Sequence, residues 1–507
     1  MNVLGIGGYS HDSAAALVRD GQLIAAVAEE RLTRVKHQGG PPVKAVQYCL
    51  DAAGLRIEDI HHVGAYMRPG LRLARRLPYR VTQMPKAPLY SLGYMGYEIA
   101  HNAQYVADMR RIAGPHAQLH YLDHHPAHAA SSFLVSPFES AALLSIDYIG
   151  EMTATWFGVG EGLDIEALHE IRYPHSLGVF YSAITDYLGF QRASDEYKVM
   201  GLASYGAPEA FDAMREIIRQ RDPDGYDFDL SYMAYQYRPG SRTGYFNERF
   251  YRKFGPPRKP GEPIEDRHKI IAASAQKILE ETVLTLCRWL HTTTGKTDLC
   301  LAGGVALNCS MNGRIRRESP FNRVFVQPAA GDDGIAIGGA FRLYYDHSDA
   351  GRDYVMRDAR LGPEFSDAAI REALELAKIR HEQPEDIVER TADLLADGKI
   401  VGWFQGRMEF GPRALGARSI LADPTRADMQ DLINKYVKHR EEFRPFAPSV
   451  TRERAGEFFQ GCNESPFMLF VYPVKLSARD RLPAITHVDG TARVQRVDRD
   501  VMPEYYR

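Results

Sequence analysis

The sequence predicts an α/β protein of two domains, the first internally duplicated and the second α+β in character. Three observations lead there. The chain has 507 residues, too many for a single hydrophobic core. An opening of apolar strand, turn and second strand at the N-terminus recurs at 141–160. A polar stretch at 346–365, DHSDAGRDYVMRDARLGPEF, interrupts the alternation of strands and helices. It puts a boundary near residue 355 and gives domains 1–355 and 356–507.

The elements follow in chain order. VLGIGGY reads as a buried strand running into glycines, and SAAALVRDGQLIAAVAEERL as two strands joined at Asp20-Gly21, a strong hairpin signal. An actin/hexokinase-type ATPase domain opens this way, with the hairpin tip facing a phosphate. AALLSIDYIGEMTATWFGVG repeats strand, acidic turn, strand; two such openings imply a duplication with ligand held between the halves. Residues 267–294 space Ile271, Ala275, Ile278, Thr282, Val283, Leu286 and Leu290 as one helix face, with Gly295 as its cap. DLCLAGGVAL is a strand, 308–317 a helix and RVFVQP a further strand. Helices near 367–378 and 385–397 then lead to the strand KIVGWFQG. Residues 68–88, with six cations among prolines, and 222–263, rich in Tyr, Pro, Gly and Arg, read as irregular.

Composition excludes several classes. Hydrophobic residues are 45%, charged residues 25% and net charge is -3, so nothing global calls for nucleic acid or an anionic membrane as partner. Cys49, Cys287, Cys300, Cys309 and Cys462 form no C-x-x-C pair and no even set, which points to a reducing cytoplasm. No cationic, apolar leader opens the chain and no run of about 18 apolar residues spans a bilayer.

Four constellations carry candidate chemistry. In LDHHPAHAASSFL, Pro126 suits a first helical turn, so His124 and His128 share one face. That spacing can chelate a transition metal, with Asp147 and Asp332 at strand ends completing the set for Fe(II), Mn(II) or Zn(II). The plainer alternative is a histidine pair that caps a helix. LAGGVALNCSMNGRI and GDDGIAIGGA each run from strand through glycines into helix, and Lys198 and Gly201 lie in SDEYKVMGLASYG; together they outline a nucleotide cleft. Arg407, Arg413, Arg418, Lys438, Arg440 and Arg444 stand among glycines and prolines at 406–450. Fixed guanidinium groups suit phosphate, the alternative being interdomain salt bridges. His11, beside the hairpin, suits a general base or a bond to the turn backbone.

These residues resemble the O-carbamoyltransferase family of nodulation-factor and antibiotic biosynthesis (NodU/CmcH type). The blocks GIGGYSHDSAAAL, AEERLTRVKH, HHPAHAAS, SIDYIGE, KVMGLASYG, AGGVALNCSMNG, GRMEFGPRALGARS and VKHREEFRPFAPS occur in family order. The resemblance implies an actin-like first domain and a YrdC-like second one. It implies a metal, iron by expectation, at His124, His128, Asp147 and Asp332, with His125 left out. A nucleotide site is implied at Gly303, Gly304 and Asn308, and carbamoyl phosphate at Arg413, Lys438, Arg444 and Lys36, with His11 near the acceptor hydroxyl. The implied chemistry uses ATP, with Mg2+ as a companion it allows, and passes through carbamoyl-adenylate to a small-molecule alcohol. The family pattern continues with an L-N-T-S-F-N…G-E-P-I block, whereas this chain ends at MPEYYR, so a shortened second domain is expected. A threonylcarbamoyl transferase acting on tRNA and an actin-fold small-molecule kinase are the rival readings. The segments 68–97 and 222–263 match no block. Their runs Leu89, Tyr90, Leu92, Tyr94, Met95, Tyr97 and Tyr226, Tyr232, Tyr235, Tyr237, Tyr245, Tyr251 are expected to wall a pocket for a partly hydrophobic acceptor.

Overall fold

Two five-stranded sheets with the same strand order form the frame of the N-terminal part. The computed structural model describes residues 1–221, 224–237 and 244–507, which divide into compact units Met1–Met356 and Arg357–Arg507. In the first sheet, β1 (Asn2–Gly7), β2 (Ala14–Arg19) and β3 (Gln22–Ala28) make an antiparallel meander, and β4 (His62–Tyr66) and β5 (Gln118–Leu122) add in parallel beside β1. In the second, β6 (Ser140–Ile146), β7 (Thr153–Glu161) and β8 (Asp164–Arg172) are the meander. A short antiparallel pair, β9 (Ile218–Arg221) and β10 (Gly225–Phe228), stands apart from it. The parallel strands added beside β6 are β11 (Asp298–Ala302) and β12 (Arg323–Val326). The orders β3-β2-β1-β4-β5 and β8-β7-β6-β11-β12 therefore superimpose element for element. This is the actin-like duplication, and parallel strands in each half require helical crossovers.

The crossovers of the first half are α1 (Glu29–Thr33), α2 (Val43–Ala53), α3 (Pro69–Gln83) and α4 (Pro88–Ala113). After β5 comes α5 (His124–Phe133). The second half carries α6 (Leu177–Tyr187), α7 (Glu196–Ala203), α8 (Phe211–Arg215), α9 (Glu248–Phe254), α10 (Asp266–Thr294) and α11 (Cys309–Glu318), and after β12 comes α12 (Ile335–Asp346). The helices that follow the fifth strand of each half, α5 and α12, pack against each other. Gly338 makes this crossing: a Cβ there would collide with the Ala127 carbonyl oxygen and stand 2.6 Å from the Ser131 nitrogen. The crossing brings the first turns of the two helices together.

The stretch 68–88 is corrected from irregular to helical. Pro69 and Pro88 stand in the first turns of α3 and α4, where a missing N–H costs nothing; only Pro78 is interior. Its cations are not a free basic surface. Arg72 and Arg76 bind the fully buried Glu98 of α4 at 2.7 and 2.8 Å, and Arg76 also donates to the carbonyls of Gly150 and Glu151. Arg68 pairs with Asp123, Arg75 with Glu170, Arg80 donates to the Gln236 carbonyl and Lys86 to the Tyr237 hydroxyl. Of the stretch 222–263, residues 222–223 and 238–243 lie outside the described residues. Elsewhere it is partly regular, with β10, a short 3-10 turn and α9. Tyr226, Tyr232 and Tyr235 are buried in the core rather than lining an open wall.

The second unit has α13 (Asp367–Leu376), α14 (Ile387–Ala396), and three two-stranded sheets. These pair β13 (Val401–Phe404) with β14 (Arg418–Leu421), β15 (Ser449–Thr451) with β18 (Gln495–Val497), and β16 (Val471–Pro473) with β17 (Thr491–Arg493). Among the described residues no helix is long and apolar enough to cross a membrane.

The tight crossing has a measurable consequence. Gly338→Ala is expected to destabilise the fold by about 1–3 kcal/mol in chemical denaturation, because the added carbon meets backbone that cannot rotate away. Gly351→Ala, where a Cβ meets nothing within 4 Å, is expected to change little.

Candidate functional site

Four donor side chains meet where the two halves join. His124 and His128 lie on α5, Asp147 follows β6, and Asp332 precedes α12. The Nε2 of His124 is 3.0 Å from Asp147 Oδ2 and 3.7 Å from Asp332 Oδ1; the Nε2 of His128 is 3.5 Å from each. All four residues are buried. Burial pulls the His128 imidazole down, but the two carboxylates outweigh it and push it up to about 9. Two buried carboxylates side by side need positive charge nearby, from a proton or a cation. Neither ring nitrogen of His128 makes a hydrogen bond. Donor atoms at these separations can close on one divalent ion with bonds of roughly 2.0–2.2 Å, so the residues present fit a metal. His125 faces elsewhere, toward Ser145 Oγ and the Thr153 carbonyl at 2.9 Å each. Burial, then the two neighbouring imidazoles, pull it to about 3, so it is neutral.

Around this cluster the predicted nucleotide residues divide. Gly304 donates its N–H to Asp147 Oδ1 at 2.9 Å. Gly303 has φ 86°, and a Cβ on it would collide with the Ile146 carbonyl, so only glycine lets the two parallel strands end this close. The Asn308 side chain caps α11 through the Met311 N–H and exchanges two amide hydrogen bonds with Gln276. Lys198, on α7, pairs with Asp195 at 3.1 Å, and Gly201 is buried on the same helix.

The hairpin residues form a chain of polar contacts. His11 Nδ1 lies 3.0 Å from Asp12 and its Nε2 3.9 Å from Asp332. Desolvation lowers the His11 imidazole, and the Asp12 hydrogen bond with the Asp332 charge raises it further, to about 10. Asp12 also binds His37 at 2.7 Å, and both His37 and Lys36 reach Ser194 Oγ, at 3.0 and 3.1 Å. Lys36 therefore stands beside the hairpin in the first unit.

In the second unit the turn carrying Arg413 is built on a buried carboxylate. Glu409 Oε1 accepts the backbone N–H groups of Leu415, Ala417 and Arg418 at 2.7, 2.9 and 3.1 Å. Lys438 follows a π-helical turn, Ile433–Val437. Desolvation, then Arg440, Arg418 and Arg444, push its ammonium down from the ordinary lysine value. Arg440 is aimed by Asn434 at 2.7 Å and lies over the Phe446 ring. Arg444 is 3.4 Å from Glu441.

Residues 2–341 match the family model of the carbamoyltransferase N-terminus, and residues 392–507 that of the carbamoyltransferase C-terminus. The chain belongs to the carbamoyltransferase family. It is 39% identical to the uncharacterized protein sll1178 of Synechocystis, over all of this chain and 88% of that one. It is 39% identical to nodulation protein NolNO of Sinorhizobium fredii, over 98% and 71% of the two chains. With nodulation protein NolO of Bradyrhizobium diazoefficiens the figures are 40%, 76% and 69%.

In this carbamoyltransferase the four-donor cluster lies in the N-terminal match, and Arg413, Lys438 and Arg444 in the C-terminal one. Sequence reasoning passed over the residues that hold the site in shape. Glu151 accepts the N–H of His124 at 3.4 Å and of Arg68 at 3.2 Å, and Glu98 anchors Arg76, which holds the Gly150-Glu151 turn. Glu409 had a signal, since a lone acid in GRMEFGPRALGARS stands among cations. Arg418 and Arg440, noted as cations, join the Lys438 cluster.

Two outcomes are expected. Anaerobically purified protein should carry a divalent transition ion that His128→Ala and Asp332→Asn lose in elemental analysis; full content in His128→Ala would count against the cluster as ligands. The affinity for inorganic phosphate, read by calorimetry, should weaken as pH rises through a range below the usual lysine value of 10.5, because Lys438 sheds its proton early. Lys438→Met should bind more weakly and lose that alkaline decline.

Proposed function

We propose that this enzyme is an ATP-dependent O-carbamoyltransferase that activates carbamoyl phosphate as carbamoyl-adenylate and transfers the carbamoyl group to an alcohol. The observation that carries the reading is the cation cluster of Lys438, Arg418, Arg440 and Arg444 in the unit that matches the carbamoyltransferase C-terminus. Their charges lie close enough to depress the Lys438 ammonium, and carbamoyl phosphate is a compact dianion that would answer them. Arg413, on the turn organised by Glu409, would clamp the same phosphate. The second unit, read as a YrdC-like domain, would perform the activation. Water releases phosphate from carbamoyl phosphate to leave carbamate, carbamate attacks the α-phosphorus of ATP, and pyrophosphate leaves.

Transfer is assigned to the first unit. The acceptor oxygen attacks the carbamoyl carbon, AMP leaves, and the hydroxyl proton passes to His11, oriented by Asp12 at 3.0 Å. The Gly303-Gly304 turn would admit the nucleotide, while Lys198 and Lys36 supply positive charge at its edge. A divalent ion held by His124, His128, Asp147 and Asp332, iron by preference, would supply Lewis-acid charge and offset the Asp332 and Asp147 charges, which add to the Asp12 hydrogen bond in raising His11.

The acceptor is read as a partly hydrophobic alcohol. The support is an aromatic pair beside the Asp147 turn, Tyr148 and Tyr245, half-buried and joined through their hydroxyls.

Half-reactions test the scheme. Arg413→Ala and Lys438→Ala should each lower carbamoyl phosphate-dependent pyrophosphate release by about 100-fold or more, while transfer from supplied carbamoyl-adenylate survives. His11→Asn should do the reverse. Equal loss of both half-reactions in all three variants would sink the division of labour. Tyr245→Ala should raise the acceptor KM and leave pyrophosphate release unchanged.

A further inference from the structure

A second cluster of imidazoles lies at the far end of the α12 helix, away from the chemistry above. His62 opens β4, His120 lies on β5, and His347 is the residue after α12. The register sets Gly64 of β4 opposite His120 of β5, so His62, two residues earlier, stands on the same face as His120. A Cβ at Gly64 would touch Leu343 of α12, so this is the face that α12 covers. Where the helix ends, His347 lies flat over His62, with ring centroids 4.2 Å apart and planes 5° from parallel. The Nδ1 of His62 is 3.1 Å from the Nε2 of His120, and one nitrogen of each of the three rings lies within 4.8 Å of the others.

Three imidazoles gathered this way call for an explanation. No carboxylate is paired with any of the three rings in a described ion pair, and Asp346, whose charge reaches His120, is taken by Arg342 at 2.5 Å. Burial, then the neighbouring His347 and His120, pull His62 down to about 4. His62 is therefore neutral, burial also lowers His120, and a neutral imidazole is the ligating form. Two imidazole nitrogens on one tetrahedral zinc stand roughly 3.4 Å apart, given bonds near 2.0–2.1 Å. The His62–His120 pair already has that spacing.

We propose that His62, His120 and His347 form a second transition-metal site, for Zn2+ or a similar borderline-soft divalent ion, with solvent in the fourth position. The site is structural. It ties the C-terminal end of α12 to the β4–β5 pair. The other end of α12 follows Asp332, and β5 runs directly into α5 with His124 and His128. An ion here braces both elements that supply the four-donor cluster.

The test uses untagged full-length protein equilibrated with micromolar free Zn2+, dialysed, and measured by mass spectrometry of the metal. His347→Gln changes an exposed residue and His120→Gln a half-buried one, and circular dichroism checks that each is folded. Wild type should hold one zinc equivalent more than either variant. In a His128→Ala background one equivalent should remain, and His128→Ala combined with His347→Gln should hold none. Zn2+ should raise the melting temperature of His128→Ala by about 5 °C at saturating metal and leave the double variant unmoved. Equal zinc content with and without His347, or uptake only at millimolar Zn2+, would overturn the proposal. Loss of iron with retention of this zinc in His128→Ala separates the result from the fate of the four-donor cluster.

Discussion

Two carboxylates, Asp147 and Asp332, are held buried within 4 Å of the same two imidazoles, and the rest of the first unit is arranged to sustain that. Carboxylates buried that close together need compensating positive charge. The compensation comes from across the duplication. One half contributes the histidines at the start of the helix after its fifth strand. The other half contributes an aspartate at the start of the corresponding helix, and a second aspartate after its first strand. The pseudo-symmetric counterpart of that second aspartate is the turn with His11 and Asp12, which closes the cluster from the opposite side. A site on the axis of a duplicated fold thus draws on equivalent strand ends of both halves.

Holding such a site requires scaffolding by groups that are themselves charged and buried. Glu98 has no exposed surface and binds two arginines. One of those arginines spans to the carbonyls of Gly150 and Glu151, the turn directly after Asp147. Removing Glu98 would take the carboxylate from the buried Arg72 and from Arg76, which costs more than the pairs are stabilising. The same device recurs in the second unit, where one oxygen of Glu409 gathers three backbone N–H groups of the glycine-rich turn. A turn rich in glycine and proline has little side-chain packing to define it, so a buried acceptor does so instead.

The arginine-rich stretch 68–86 shows how a linear reading can mistake the role of charge. Six cations among prolines read as an irregular stretch. Their partners are Asp123, Glu98, Glu170 and backbone or hydroxyl oxygens distant in sequence, and two of the prolines begin helices. The tyrosines of 226–235 show the same limit for apolar surface: composition marks them as aromatic and rigid, but burial against Thr155 and Pro174 uses them as core.

What the sequence determined by itself was local. Strand and helix periodicity, the Asp20-Gly21 hairpin, the repeated opening at 141–160 and the glycine-flanked strand ends are all written in neighbouring residues, because period and turn chemistry are properties of a few consecutive positions. So is the i, i+4 spacing of His124 and His128. The acids Asp147 and Asp332 were legible as strand-end residues of matching blocks, and His125 as off the shared face, but only the tertiary structure shows how the acids reach the histidines, from other elements beside the α5–α12 crossing. It also decided that Asn308 caps a helix, and that His62, His120 and His347, separated along the chain and unremarkable there, stand together. Contacts between distant segments depend on how helices cross and where strands end, and no short window of sequence encodes either.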